Sequence, residues 1–159
     1  MFGWEDIPTL VISLLIILPI VAFVHEAGHF LMTYFFGGKM KFIIGRGKLL
    51  YKNGDFEIRR VYFLDSWTQL EELNVNNRWT HAIVYLSGSL FNILTVLLVN
   101  GLIHIEVLPP HLFFYQFVYF SLYYVCFALL PVEYGEGKPS DGKAFYDALK
   151  YGPEKGPLD

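Results

Sequence analysis

The sequence predicts an α-helical integral membrane protein, with three transmembrane helices and a cytoplasmic-side β-hairpin loop between the first and second. Three observations carry that prediction. Three apolar runs are each long enough to span a bilayer, every Lys and Arg falls after the first or the third of them, and two β-prone runs joined by Asn-Gly separate the first two. Of the 159 residues 54% are hydrophobic and 17% charged, against about a quarter charged in ordinary soluble domains. Mean hydropathy is +0.40, and the apolar residues are clumped rather than spread. Residues 1–159 are read as a single domain, because helices in lipid bury their polar groups only against one another.

The first helix is expected over residues 8–36. Met1 to Asp6 is acidic and lacks Lys and Arg, and the apolar run that follows outlasts a signal-peptide core, so the helix is read as retained. A span needs roughly 20 apolar residues for a hydrocarbon core of about 30 Å. Pro19 is expected to bend the helix, which packed membrane helices tolerate when neighbours re-satisfy the backbone. A β-rich loop follows over 37–66. Within it Lys48 to Phe63 reads as two strands joined by Asn53-Gly54, the strongest short hairpin signal. Phe42 to Gly45 reads as a further strand, with Gly45 and Gly47 free to turn sharply. An exposed edge of this hairpin would offer backbone hydrogen bonds to an extended peptide.

The second and third helices are expected over 80–105 and 112–130, and residues 131–159 form a tail. Eight Lys and Arg residues lie between the first two spans and four follow the third, which accounts for all twelve. The positive-inside rule then sets the N-terminus outside and the C-terminus in the cytoplasm, as a multi-pass integral membrane protein. Trp4, Trp67 and Trp79 flank spans, where indoles favour the interface.

Some functions are excluded. A net charge of −3 without any basic run rules against a nucleic-acid partner. The single cysteine, Cys126, cannot form an intrachain disulfide or a paired-thiolate zinc site, and reads as a small packing residue in the third helix.

The chemistry concentrates in His25-Glu26-Ala27-Gly28-His29, at the cytoplasmic end of the first span. Residues four apart share a helix face, so His25 and His29 are able to address one metal ion. Glu26 sits beside the first ligand, placed to take a proton from an attacking water without binding the metal. A titratable group at membrane depth costs several kcal/mol, by insertion scales about 3, so three together require a purpose. Catalytic zinc usually takes three protein ligands. Candidates for the third are Asp141, Glu133, Glu136, Asp147 and His81. In the second span, Gly88-Ser-Leu-Phe-Asn92 offers a small-residue packing face and an amide that needs a partner in lipid. Asn100 reads as interhelical packing, and His104 and His111 as interfacial residues of the opposite leaflet.

These motifs resemble the site-2 protease family of intramembrane zinc metalloproteases. The resemblance rests on His25-Glu-Ala-Gly-His-Phe30, Gly88-Ser-Leu-Phe-Asn92 and Asp141-Gly142, with the β-rich loop that opens on Gly45-Arg-Gly47. It implies a three-helix core binding one Zn2+ through His25, His29 and Asp141, Glu26 as general base and Asn92 as a substrate-contacting residue. The implied activity is zinc-dependent endoproteolysis of a membrane-embedded peptide or protein, near the cytoplasmic leaflet. The lipid-facing surface of three helices leaves room for a homo-oligomer or a regulatory membrane partner. The chain departs from the family pattern at Ala128, where members often carry Asn three residues before a proline, here Pro131. It departs again in the ten positions from Pro131 to Asp141. These departures motivate an alternative, a catalytically degenerate member that binds a membrane partner. A metal carrier would need polar residues through all three spans, and the third offers few.

Overall fold

A computed structural model of the chain describes residue 4 and residues 7–134 and 139–152, leaving aside the side chains of 63–67 and 69. Three helices are long and apolar enough to cross a membrane: α1 (Ile7–Phe35), α2 (Arg78–His104) and α3 (Leu112–Leu129). Two strands, β1 (Lys39–Asn53) and β2 (Phe56–Glu72), lie between α1 and α2, and a fourth helix, α4 (Asp141–Tyr151), follows α3.

The expected bend in α1 takes a specific form. Ser13–Ile17 is a π-helical turn, and Pro19 follows at the start of the α-helical remainder. Proline lacks an N–H and its ring crowds the carbonyl four residues back, so widening the preceding turn relieves the clash without breaking the helix. Ser13 at this turn bonds the Thr9 carbonyl (2.8 Å) and Gln116 of α3 (3.0 Å), which ties the widened turn to its neighbour. The C-terminus of α1 closes on Gly37 at φ 69°, with Gly37 N–H donating to Tyr34 O and Gly38 N–H to Thr33 O. Asn77 starts α2 by accepting from the N–H groups of Trp79 and Thr80, both 3.0 Å. His111, after the Pro109-Pro110 pair, caps α3 through the N–H of Phe113.

The β ribbon is longer than the sequence reading, running to Glu72 rather than ending near residue 66. β1 and β2 pair antiparallel around Gly54-Asp55, one residue later than the expected Asn53-Gly54 centre, because Asn53 itself pairs with Phe56. Gly54 at φ 58° takes the left-handed first position of the turn. Gly45 and Gly47, at φ 85° and 89°, fold β1 over. As a result Phe42, Ile43 and Ile44 are matched twice, with 66–68 on one side and 56–58 on the other, and 56–58 is matched again with 51–53, so the ribbon doubles back on itself. The ribbon docks on the helices through Met40 and Leu70, which pack with Val84 of α2 and with Met32 and Phe36. Its ion pairs, such as Lys52–Glu57, are exposed on the lysine side and screened by solvent, so apolar docking sets its position.

The segment read as a tail contains a helix. Ala144 and Ala148 of α4 bury against Tyr85 of α2. On the other side of the bundle, Ile17 and Val21 of α1 pack with Phe117 of α3. Cys126 is exposed on α3 rather than packed, and Asn100 donates to the Val96 carbonyl of its own helix (3.0 Å) rather than bridging helices. Trp4 and Trp79 are exposed at the ends of α1 and α2. The side chain of Trp67 lies outside the described residues.

Candidate metal centre

The site forms where the backbones of α1 and α2 meet. A Cβ added to Gly28 would stand 2.6 Å from the Ser87 carbonyl oxygen and 3.0 Å from Gly88 Cα, so the two backbones touch at this level. One turn of α1 presents His25 and His29 there, both buried. Their Nε2 atoms lie 3.1 Å apart, and the Tyr124 ring of α3 covers His25 at 4.8 Å between centroids.

Asp141 meets them from the far end of the chain. Its Oδ2 is 2.7 Å from His25 Nε2 and 3.4 Å from His29 Nε2. The loop before it is closed at its base rather than spread by its length. Ser140 N–H donates to the Val132 carbonyl (2.9 Å), and the Ser140 hydroxyl donates to Leu130 O. Ser140 Oγ also accepts from Lys143 N–H (3.1 Å) and so caps α4. Gly142 lies against the Leu129 carbonyl with no space for a Cβ. The chain therefore returns to α3 within two residues of Asp141, which sits in the first turn of α4, where a helix terminus favours negative charge. Burial works against that charge, but His29 and His25 beside it hold the carboxyl well below the usual carboxylate range.

The three donor atoms fall within 4.8 Å of one another, and this donor set suits zinc: two imidazole nitrogens and a carboxylate oxygen. Space on the α2 side is kept open by Gly88. A Cβ there would stand 2.7 Å from His25 Nε2 and closer still to His29 Nε2. The sequence reading gave Gly88 a packing role, and the structure adds clearance beside both nitrogens.

Glu26 is buried on α1 directly after His25, beside this cluster. Thr68 of β2, a residue the sequence reading did not single out, stands close enough to act on its carboxyl group. Asn92 is fully buried, with Nδ2 3.4 Å from His25 Nδ1. His29 Nδ1 donates to the Val84 carbonyl at 2.8 Å.

The remaining third-ligand candidates lie elsewhere. His81 is buried and bonded to Asn76 Oδ1 (2.8 Å), and Asp147 pairs with Lys143. Glu133 is exposed, and Glu136 falls outside the described residues. His104 and His111 stand at the opposite end of the helices, as expected.

A family model for Peptidase family M50 matches residues 13–152, from the π-helical turn of α1 to the end of α4. The chain belongs to Peptidase family M50. This is the site-2 protease family, whose peptidases are zinc metalloproteases. The M50 match includes His25, His29 and Asp141 in one continuous span, so the long loop before Asp141 lies inside the family domain. The chain is also 51% identical over 152 residues to the uncharacterized membrane protein YwmF of Bacillus subtilis (strain 168), covering 96% of each chain. That similarity and the three apolar helices support an integral membrane protein. No solved structure matches the chain.

Proposed function

We propose that this M50 protein is an intramembrane zinc endopeptidase acting on a membrane-associated helix or leader peptide near the cytoplasmic leaflet. The observation that carries the reading is the meeting of His25, His29 and Asp141 beside a glycine that leaves both Nε2 atoms accessible. Zinc held by these three residues supplies a Lewis acid that polarises the scissile carbonyl and acidifies the attacking water.

The chain's own residues do the rest. Glu26, adjacent to His25 and buried beside the donors, takes the proton from the attacking water and passes it to the leaving amine. Thr68 brings the β ribbon up to the Glu26 carboxyl group. A helical substrate hides its amides and must unwind to be cut. Strand addition to the ribbon would hold it extended, and the part of the ribbon that reaches the site is β2 around Thr68 rather than the Lys48–Phe63 tip. The distribution of Lys and Arg favours an N-terminus outside and a cytoplasmic C-terminus, with the site toward the inner leaflet.

The test is Glu26→Gln in the detergent-purified protein, assayed on membrane-embedded reporter helices alongside zinc content. Cleavage is expected to fall about 10²- to 10⁴-fold while zinc stays bound. Retained cleavage sinks the mechanism. A cellular phenotype unchanged by Glu26→Gln points instead to a partner-binding role.

A further inference from the structure

The two histidines are held alike on one side and differently on the other. Each directs Nε2 toward Asp141, and each presents Nδ1 to α2. For His29 the α2 partner is the Val84 carbonyl, which only accepts, so His29 carries its proton on Nδ1 and offers a lone pair at Nε2. For His25 the partner is the Asn92 amide, which is able to donate or accept.

As placed, Asn92 turns Nδ2 toward His25 Nδ1, while its buried Oδ1 has no hydrogen-bond partner. With the amide that way round, Nδ1 is the acceptor and the His25 proton stands on Nε2, 2.7 Å from Asp141 Oδ2. A ring in this tautomer has no Nε2 lone pair for a metal. Ligation needs the proton on Nδ1 and an acceptor facing it. A half-turn of the amide supplies one, because Oδ1 and Nδ2 exchange places with almost no change of shape. No other side chain is recorded against His25 Nδ1 among the described residues, and Asn92 is 0% exposed, so solvent does not substitute.

We propose that Asn92 is a positioning residue for the metal centre, its amide turning to accept the His25 Nδ1 proton and freeing Nε2 for the metal. The inference rests on the metal-site reading above and adds a role to Asn92 distinct from substrate contact. Outer partners of metal-bound imidazoles fix the tautomer and are worth about 10- to 100-fold in affinity. It also accounts for the residue type: an amide both donates and accepts, so it serves either tautomer of His25, whereas an apolar side chain bonds neither.

The test is a zinc titration against a competing chelator for the wild type, Asn92→Leu and Asn92→Asp, with thermal unfolding of each metal-free protein in detergent. Asn92→Leu is expected to bind zinc about 10- to 100-fold more weakly. Asn92→Asp, which only accepts, is expected to match or exceed the wild type. Wild-type affinity in Asn92→Leu overturns the inference, and so does an Asn92→Asp protein as weak as Asn92→Leu. Should Asn92→Leu fail to fold, Asn92→Ala carries the same comparison. A wild-type protein that binds no zinc overturns the proposed function itself, whereas zinc bound equally by wild type and Asn92→Leu removes only the positioning role.

Discussion

His25 and His29 reach the centre on a single helical turn, whereas Asp141 arrives 116 residues after His25, at the foot of a polar loop. The histidines need only the periodicity of α1 to face the same way. The aspartate needs three separate devices: the pinch between Ser140 and α3, the cap on Lys143 N–H, and a glycine pressed on the Leu129 carbonyl. A local pair is robust to changes elsewhere in the chain. A remote ligand is only as well placed as the turn that delivers it, and that turn is where the centre is most open to perturbation.

Substitutions separate the two arms. His29→Ala and Asp141→Ala should each weaken zinc binding by more than about a hundredfold, beyond the range of outer partners, as read by metal content after dialysis against a chelator. An Asp141→Ala protein with wild-type affinity would show the remote arm to be dispensable. Gly142→Ala should come next, because its Cβ collides with the Leu129 backbone while leaving all three donors in the sequence. A loss of about 1–3 kcal/mol in stability is expected from that overpacking, together with weaker zinc binding. Ser140→Ala should have the smallest effect, about 1 kcal/mol in thermal unfolding from the lost cap. A Ser140→Ala effect larger than that of Gly142→Ala would mean the pinch, not the glycine contact, fixes Asp141.

The same division explains what was legible beforehand. The three long helices show in the sequence to within about two residues, since apolar runs bounded by Asn77, His111 and Gly37 are local signals. The histidine pair was legible for the same reason. The far half of β2 was not, because its partner is Lys39–Ile44, some thirty residues away, and Thr-Gln-Leu-Glu-Glu carries no clean alternation of its own. Thr68 was missed with it. Helix α4 left signals that went unread: Ser140 as cap, Ala144 and Ala148 four apart, and Gly152 at its end. Its short length and low hydrophobicity hid it behind the spans. Asp141 was one of five third-ligand candidates until the resemblance singled it out, and it took the loop closure to show how the nine residues between Pro131 and Asp141 bring the carboxylate back.

The buried face of α1 runs through Ser13, Ile17, Val21, His25, His29 and Thr33, every fourth residue. A row with that spacing leans across the helix instead of following its axis, and helices packed along such rows cross at an angle. The backbones of α1 and α2 meet at Gly28 and Gly88, level with the two imidazoles. Under the proposed function, this pair of glycines sets how deep in the bilayer the centre lies, since a side chain at either position would part the helices where the donors converge.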